Sequence, residues 1–136
     1  MSRLHLHVSV ADLDQAVSFY STMFDAAPAV LEKDYAKWSL ADPSDNFAIS
    51  ARARATGLDH IGVEVDSSSE LSTLAGRLKS AGLTTFDQEA TTCCYAKSDK
   101  SWIVDPAGLR WEAFFTHGGS TTYGEDEIMP EPAATA

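Results

Sequence analysis

Two hydrophobic periods take turns along this chain. "LHLHVSVADL" places apolar side chains at Leu4, Leu6, Val8 and Val10, the period-two pattern of a half-buried strand. The same alternation collects His5, His7 and Ser9 on the opposite face. Asp12 then reads as a helix N-cap. The segment "DQAVSFYSTMF" carries apolar residues at Ala16, Val17, Phe19, Tyr20, Met23 and Phe24, a helical stripe that "DAAP" ends. Short strands are predicted around "YAKWSLA" and "FAISARA", parted by the turn "DPSDN".

After "ATG" the order begins again. "LDHIGVEV" is strand-like, "SSSELSTLAGRLKSAG" is a capped helix ending at Gly82, and "TCCYAKS" and "SWIVDPAGLRWEAFF" give strands split by the turn "DPAG". His5 precedes Val10 by five residues and His60 precedes Val65 by five, and each half carries an Asp-Pro turn, at Asp42-Pro43 and Asp105-Pro106. These offsets predict an internal duplication of a strand–helix–strands unit. The expected division is a first module over residues 1–54, a second over 55–117, and an acidic, aperiodic, disordered tail over 118–136.

Composition narrows the function classes. The formal charge is -10, from 20 acidic against 10 basic residues, so neither nucleic acid nor an anionic membrane surface is an expected partner. No apolar run reaches the length of a membrane span and "MSRLHLHVSV" lacks a signal-peptide core, which predicts a cytoplasmic protein with reduced thiols.

Two features carry candidate chemistry. His5 and His60 hold equivalent places in the two halves. Glu112 lies on the last strand, facing away from Trp111 and Ala113. A carboxylate on the inner face of a sheet needs a partner, and a cation between it and two imidazoles would satisfy all three. Such a set suits Fe(II), Zn(II), Mn(II) or Ni(II). His7 shares a face with His5 and could be the ligand instead; the repeat alignment favours His5 and sets His7 beside the site. His117 and Glu64 fit no such alignment and read as solvated.

The second feature is the pair Cys93-Cys94, the only cysteines of the chain. Neighbouring cysteines close no useful loop, so their purpose is chemical, or they are two small buried hydrophobes. In an ideal strand they point to opposite faces, so chelation of one centre by both requires a turn, bulge or loop there. Lys97 and Lys100 would favour the thiolates if close in space. Tyr95 and Trp102 either shape an apolar wall for a substrate group or pack the core.

"HLHVSVADLDQAVSFYSTMF", "DHIGVEV" and "DPAGLRWEAF" resemble the vicinal oxygen chelate superfamily of glyoxalases, fosfomycin-resistance proteins and extradiol dioxygenases. The resemblance implies an α+β fold of two tandem βαβββ modules forming a cupped mixed sheet around a metal held by His5, His60 and Glu112. "YAKWSLADPSDNFAIS", "TTCCYAKSDKSWIVDPAG" and "YGED" resemble one branch, the cadmium-induced proteins and organoarsenical carbon–arsenic lyases. That resemblance covers roughly residues 1 to 125. It implies Fe(II)- and O2-dependent cleavage of trivalent organoarsenicals such as methylarsenite to arsenite, the arsenic being held by Cys93 and Cys94 with Tyr95, Lys100 and Trp102 around it. Ni, Co, Mn or Zn would be able to replace the iron in a preparation, and a homodimer is expected. Some relatives of this branch carry further cysteines in the tail, and this chain has none. The alternatives are a thiol protein that sequesters cadmium or arsenite without turnover, and another metal-dependent enzyme of the glyoxalase superfamily.

Overall fold

Both helices begin at the caps their sequences predict. In a computed structural model, which describes residues 2–124, Asp12 Oδ1 accepts from Gln15 N at 3.0 Å and opens α1 (Leu13–Phe24). Ser67 Oγ accepts from Glu70 N at 3.1 Å and opens α2 (Ser68–Ser80). Each bond satisfies one of the amide donors that a helix start leaves without an intrahelical partner. Strands surround the helices: β1 (Arg3–Ser9), β2 (Val30–Glu32), β3 (Tyr35–Ala41) and β4 (Ser44–Ser50), then β5 (Gly57–Glu64), β6 (Phe86–Cys93), β7 (Ala96–Val104) and β8 (Arg110–Gly119). The element order is βαβββ twice, so the fold is α+β and built by repetition.

The chain divides inside β5 into two compact units, Arg3–Ile61 and a second beginning at Gly62. In the first unit the strand order is β2-β3-β4-β1. β1 runs parallel to β4, pairing His5 with Asn46 and His7 with Ala48, and β3 is antiparallel to both its neighbours. One face of this sheet meets α1. Leu13, Trp38, Leu40, Phe47 and Ile49 are buried there, with Val17, Tyr20 and Phe24 packed against them. Phe19 and Met23, which the helical stripe placed on the same face, are 60 % and 56 % exposed. Leu13, Ala16, Val17, Tyr20 and Phe24 already fill a helical face at spacings of three, four and seven, and Phe19 and Met23 fall outside that arc. The opposite face of β1 departs from a half-buried strand as well. His5, His7 and Ser9 are only 5 %, 3 % and 2 % exposed, so the polar face is the more buried one.

In the second unit β8, β7 and β6 form an antiparallel series. α2 packs Leu71 beside Val65 and Ala113. Gly62 sits where a Cβ would lie 2.0 Å from the Glu112 carbonyl oxygen, so only a glycine allows this backbone approach. Two bulges interrupt the pairing on either side of β7, between Gln88 and Thr91 and between Lys97 and Ser98. β2, three residues long, and the part of β6 before Thr92 are strands that the hydrophobic pattern did not reveal. β8 extends through Gly119, and Gly124 makes a bridge with Cys93. The tail from residue 125 onward lies outside the described residues. No helix among the described residues is long and apolar enough to cross a membrane.

Candidate metal and thiol sites

The first unit gathers three imidazoles. A ring nitrogen from each of His5, His7 and His60 lies within 4.8 Å of the others, and all three residues are buried. β1 supplies His5 and His7 from one face, and His60 comes from the first half of β5.

Hydrogen bonds fix how two of these rings present themselves. His5 Nδ1 stands 2.9 Å from the Asn46 carbonyl oxygen, which can only accept, so this nitrogen carries the proton and donates. His60 Nδ1 likewise donates to Asp59 Oδ2 at 2.8 Å. Both rings therefore turn their lone pairs outward through Nε2, and the two Nε2 atoms face each other at 3.2 Å. Two lone pairs so close repel until a cation lies between them. Metal–nitrogen bonds of about 2.1 Å at octahedral to tetrahedral angles give donor separations of roughly 3.0–3.4 Å, a range this spacing matches. The donor chemistry thus fits a divalent metal.

The orienting shell is itself anchored. Arg54 Nε donates to Asp59 Oδ1 at 2.8 Å, and Ser9 Oγ donates to the Arg54 carbonyl at 3.3 Å. Burial works against the Asp59 anion. The hydrogen bonds of His60 and Arg54 outweigh it, holding the carboxyl well below its ordinary range. A carboxylate so held keeps the His60 tautomer and raises the basicity of its Nε2. His7 Nε2 is 2.8 Å from Ser50 Oγ, and its ring centroid is 4.8 Å from that of His60. His7, expected beside the site, is a full member of the cluster. Asn46, Asp59 and Arg54 were not anticipated, although Asp59 directly precedes His60.

The second unit holds the thiols, Glu112 and Lys100. Cys93 ends β6 and pairs with Ala96, which leaves Cys94 and Tyr95 as a two-residue hairpin loop. Their φ values are +58° and +62°, the left-handed pair of a type I′ turn. Such loops favour Asn-Gly; two side-chain-bearing residues here cost about 1 kcal/mol each. The turn does what a strand cannot. It brings the two Sγ atoms to 2.9 Å on one side, and neither cysteine is in a disulfide. The hydrogen bond from Cys93, burial and the charge of Cys93 together push the Cys94 thiol well above its ordinary range, so Cys94 keeps its proton.

Lys100 is a buried cation of this unit. It is 6 % exposed, and its Nζ lies 2.5 Å from Glu112 Oε2. Burial disfavours its charge, but Glu112 and then the two cysteines more than restore it, so Lys100 stays an ammonium. Lys97, the other lysine close to the cysteines in sequence, is exposed. Trp102 is 2 % exposed, donates to Gln88 Oε1 at 3.1 Å, and has Lys100 Nζ 5.9 Å from its ring centroid. Tyr95 meets the ring of Tyr123 edge-on at 5.6 Å. His117 and Glu64, read as solvated, have partners: His117 lies 2.9 Å from Asp99, and Glu64 accepts the Thr116 hydroxyl at 3.2 Å.

Chemically, the chain offers a cluster of outward-facing imidazole nitrogens in one unit. In the other it offers a close dithiol with a buried ammonium. Comparison with known proteins finds relatives over most of the chain. The chain is 40% identical over 124 residues to a trivalent organoarsenical cleaving enzyme of Thermomonospora curvata, covering 90% of this chain and 82% of that protein. It is 41% identical over 125 residues to the cadmium-induced protein CadI of Mycobacterium tuberculosis, covering 91% and 82%. Among solved structures it resembles the Mn(II)-bound glyoxalase of Novosphingobium aromaticivorans, with a TM-score of 0.62 at 18% identity over 96% of this chain and 44% of that one. No family model matches the chain.

Proposed function

Because the chain belongs to the family of trivalent organoarsenical cleaving enzymes and cadmium-induced CadI proteins, we propose that it cleaves the carbon–arsenic bond of trivalent organoarsenicals such as methylarsenite, releasing arsenite. The observation that carries this reading is the Cys93–Cys94 turn, which aims two sulfurs 2.9 Å apart at one point. A trivalent arsenic bearing one carbon has two positions open to sulfur, and soft ligands select soft centres. Two thiols fill those positions and leave the carbon substituent as the third arm.

The protein's own residues prepare that capture. The strained turn holds the sulfurs together before substrate arrives, so little ordering is left for the binding step. The Lys100 ammonium stands by to offset the negative charge that sulfur develops as it loses its proton. Tyr95 stands in the turn itself, and Trp102 packs beside Lys100. His5 and His60, with their tautomers fixed by Asn46 and Asp59, would hold the metal, and the family resemblance assigns Glu112 as its carboxylate. The chemistry such a centre supplies when loaded with Fe(II) is activation of dioxygen, the oxidant that carbon–arsenic cleavage requires.

The test is turnover. Purified full-length chain with Fe(II), a reductant, air and methylarsenite should form arsenite well beyond one equivalent. The Cys93→Ser and Cys94→Ser variants should bind metal normally and form none. Stoichiometric binding of methylarsenite without arsenite formation would instead make the protein a sequestering one.

A further inference from the structure

The segment after β8 folds back across the cysteine turn. Ser120 N donates to the Tyr95 carbonyl at 2.7 Å, and Gly124 forms an antiparallel bridge with Cys93. Between them Tyr123 meets the Tyr95 ring, and the Cys94 thiol donates to the Tyr123 hydroxyl at 3.5 Å. Gly124 has a φ of +84°, and a Cβ there would lie 2.1 Å from the Thr92 carbonyl oxygen. A glycine is therefore what lets this segment lie so close to β6. Cys93 is only 7 % exposed although it stands at the mouth of a hairpin. The thiols thus sit under a covering that belongs neither to β6 nor to β7.

We propose that Tyr123 is the specificity residue of the thiol site. The stretch from Ser120 to Gly124 is a clasp over the Cys93–Cys94 turn, and the Tyr123 ring sets the size of the organic group that a thiol-bound trivalent arsenical can carry. The inference rests on the function proposed above for the identity of the ligand. In the capture step an organoarsenous acid, R–As(OH)2, exchanges each As–O bond for an As–S bond. Each displaced hydroxyl leaves with one thiol proton as water, arsenic stays trivalent, and no electron is transferred. Trivalent arsenic is pyramidal, so the group R projects away from the two sulfurs, and Tyr123, whose hydroxyl meets Cys94 Sγ, borders the space it enters. A methyl group needs little of that space. A phenyl group has to displace the ring or stack on it.

The experiment compares the wild-type full chain, Tyr123→Ala and Tyr123→Trp, each shown to be folded by far-UV circular dichroism. Two quantities are measured without added metal: the rate at which 5,5′-dithiobis(2-nitrobenzoate) consumes the thiols, and the affinities for phenylarsenite and methylarsenite. Losing one aromatic contact should speed thiol consumption in Tyr123→Ala by about tenfold and raise the phenyl-to-methyl affinity ratio by a similar factor. Tyr123→Trp should move the ratio the other way, which keeps the test open if the alanine variant fails to fold. Equal ratios and equal thiol rates across the three proteins would overturn the proposal. If the thiol rates differ but wild type binds neither arsenical, the clasp is supported, and the arsenical reading fails together with the specificity role resting on it.

Discussion

Replacing Lys100 with Met removes the ammonium against which the buried Glu112 carboxylate rests. The two groups are 2.5 Å apart, with side chains 6 % and 5 % exposed. At an effective dielectric of about 20 their attraction amounts to about 7 kcal/mol. That offsets the several kcal/mol each ion loses on leaving water, so the intact pair adds little net stability. Removing one partner forfeits the attraction and keeps the other's desolvation cost. Lys100→Met is therefore expected to destabilise the fold by about 3–5 kcal/mol. For a chain of this size that corresponds to a fall of roughly 10–15 °C in Tm. Urea and thermal melts of Lys100→Met, Glu112→Gln and the double variant supply the measurement. Because the double variant leaves no orphaned charge, its loss should fall short of the sum of the singles by about 2 kcal/mol. A divalent metal should raise the Tm of Lys100→Met more than that of wild type if Glu112 is a ligand. Strict additivity, or a loss below about 1 kcal/mol for Lys100→Met, would refute the reasoning, since neither fits a buried pair.

Three further outcomes follow from the geometry. Gly62→Ala should destabilise by about 3 kcal/mol or more on a thermal melt, because its Cβ would meet the Glu112 carbonyl oxygen at 2.0 Å and backbone must move to admit it; a Tm close to wild type would contradict the close approach. Asp59→Asn should weaken metal binding about 10–100-fold in a calorimetric titration while leaving the fold intact, since it loosens the His60 ring without removing a ligand. Asp45 gives a pH dependence. Burial, opposed by the Asn46 amide and the Arg3 charge, raises its pKa from 3.8 to about 6, and its Oδ1 has no hydrogen-bond partner among the described residues. The folded state then holds a proton that the unfolded state has lost between those values, so the contribution of Asp45 to stability is greatest below about pH 4 and is lost as pH rises through 6. Asp45→Asn should remove that slope and gain about 1–2 kcal/mol at pH 7 after allowing for solvent screening, as read from urea melts across pH 4–8.

What the sequence determined by itself was local. Period-two alternation placed β1 and β5, the 3.6-residue stripe and the Asp12 and Ser67 caps placed both helices, and the Asp-Pro turns marked the hairpins. These depend on neighbours a few residues away, so one stretch of chain suffices to read them. Repetition of the pattern made the doubled βαβββ order legible, and the equivalent offsets of His5 and His60 drew attention to both rings. It also left the requirement open-ended for the cysteines: adjacent thiols need a turn, but nothing in "TTCC" says one is there.

Only tertiary pairing decided the rest. The register of β6 on β7 closes a two-residue loop at Cys94 and Tyr95, and so points both sulfurs one way. The register of β7 on β8 sets Trp102 opposite Glu112, which brings Lys100, two residues along β7, within reach of that carboxylate. The alignment of β1 with β4 gives His5 its carbonyl at Asn46 and, through Ser50, fixes His7 in the cluster. Tyr123 reaches Cys94 from 29 residues away. A strand's own residues do not specify which residue of another strand stands opposite, because one step of slip exchanges its faces and changes every cross-strand partner. The packing that penalises such slips is a property of the folded sheet, and there the imidazoles, the thiols and the ammonium acquire their partners.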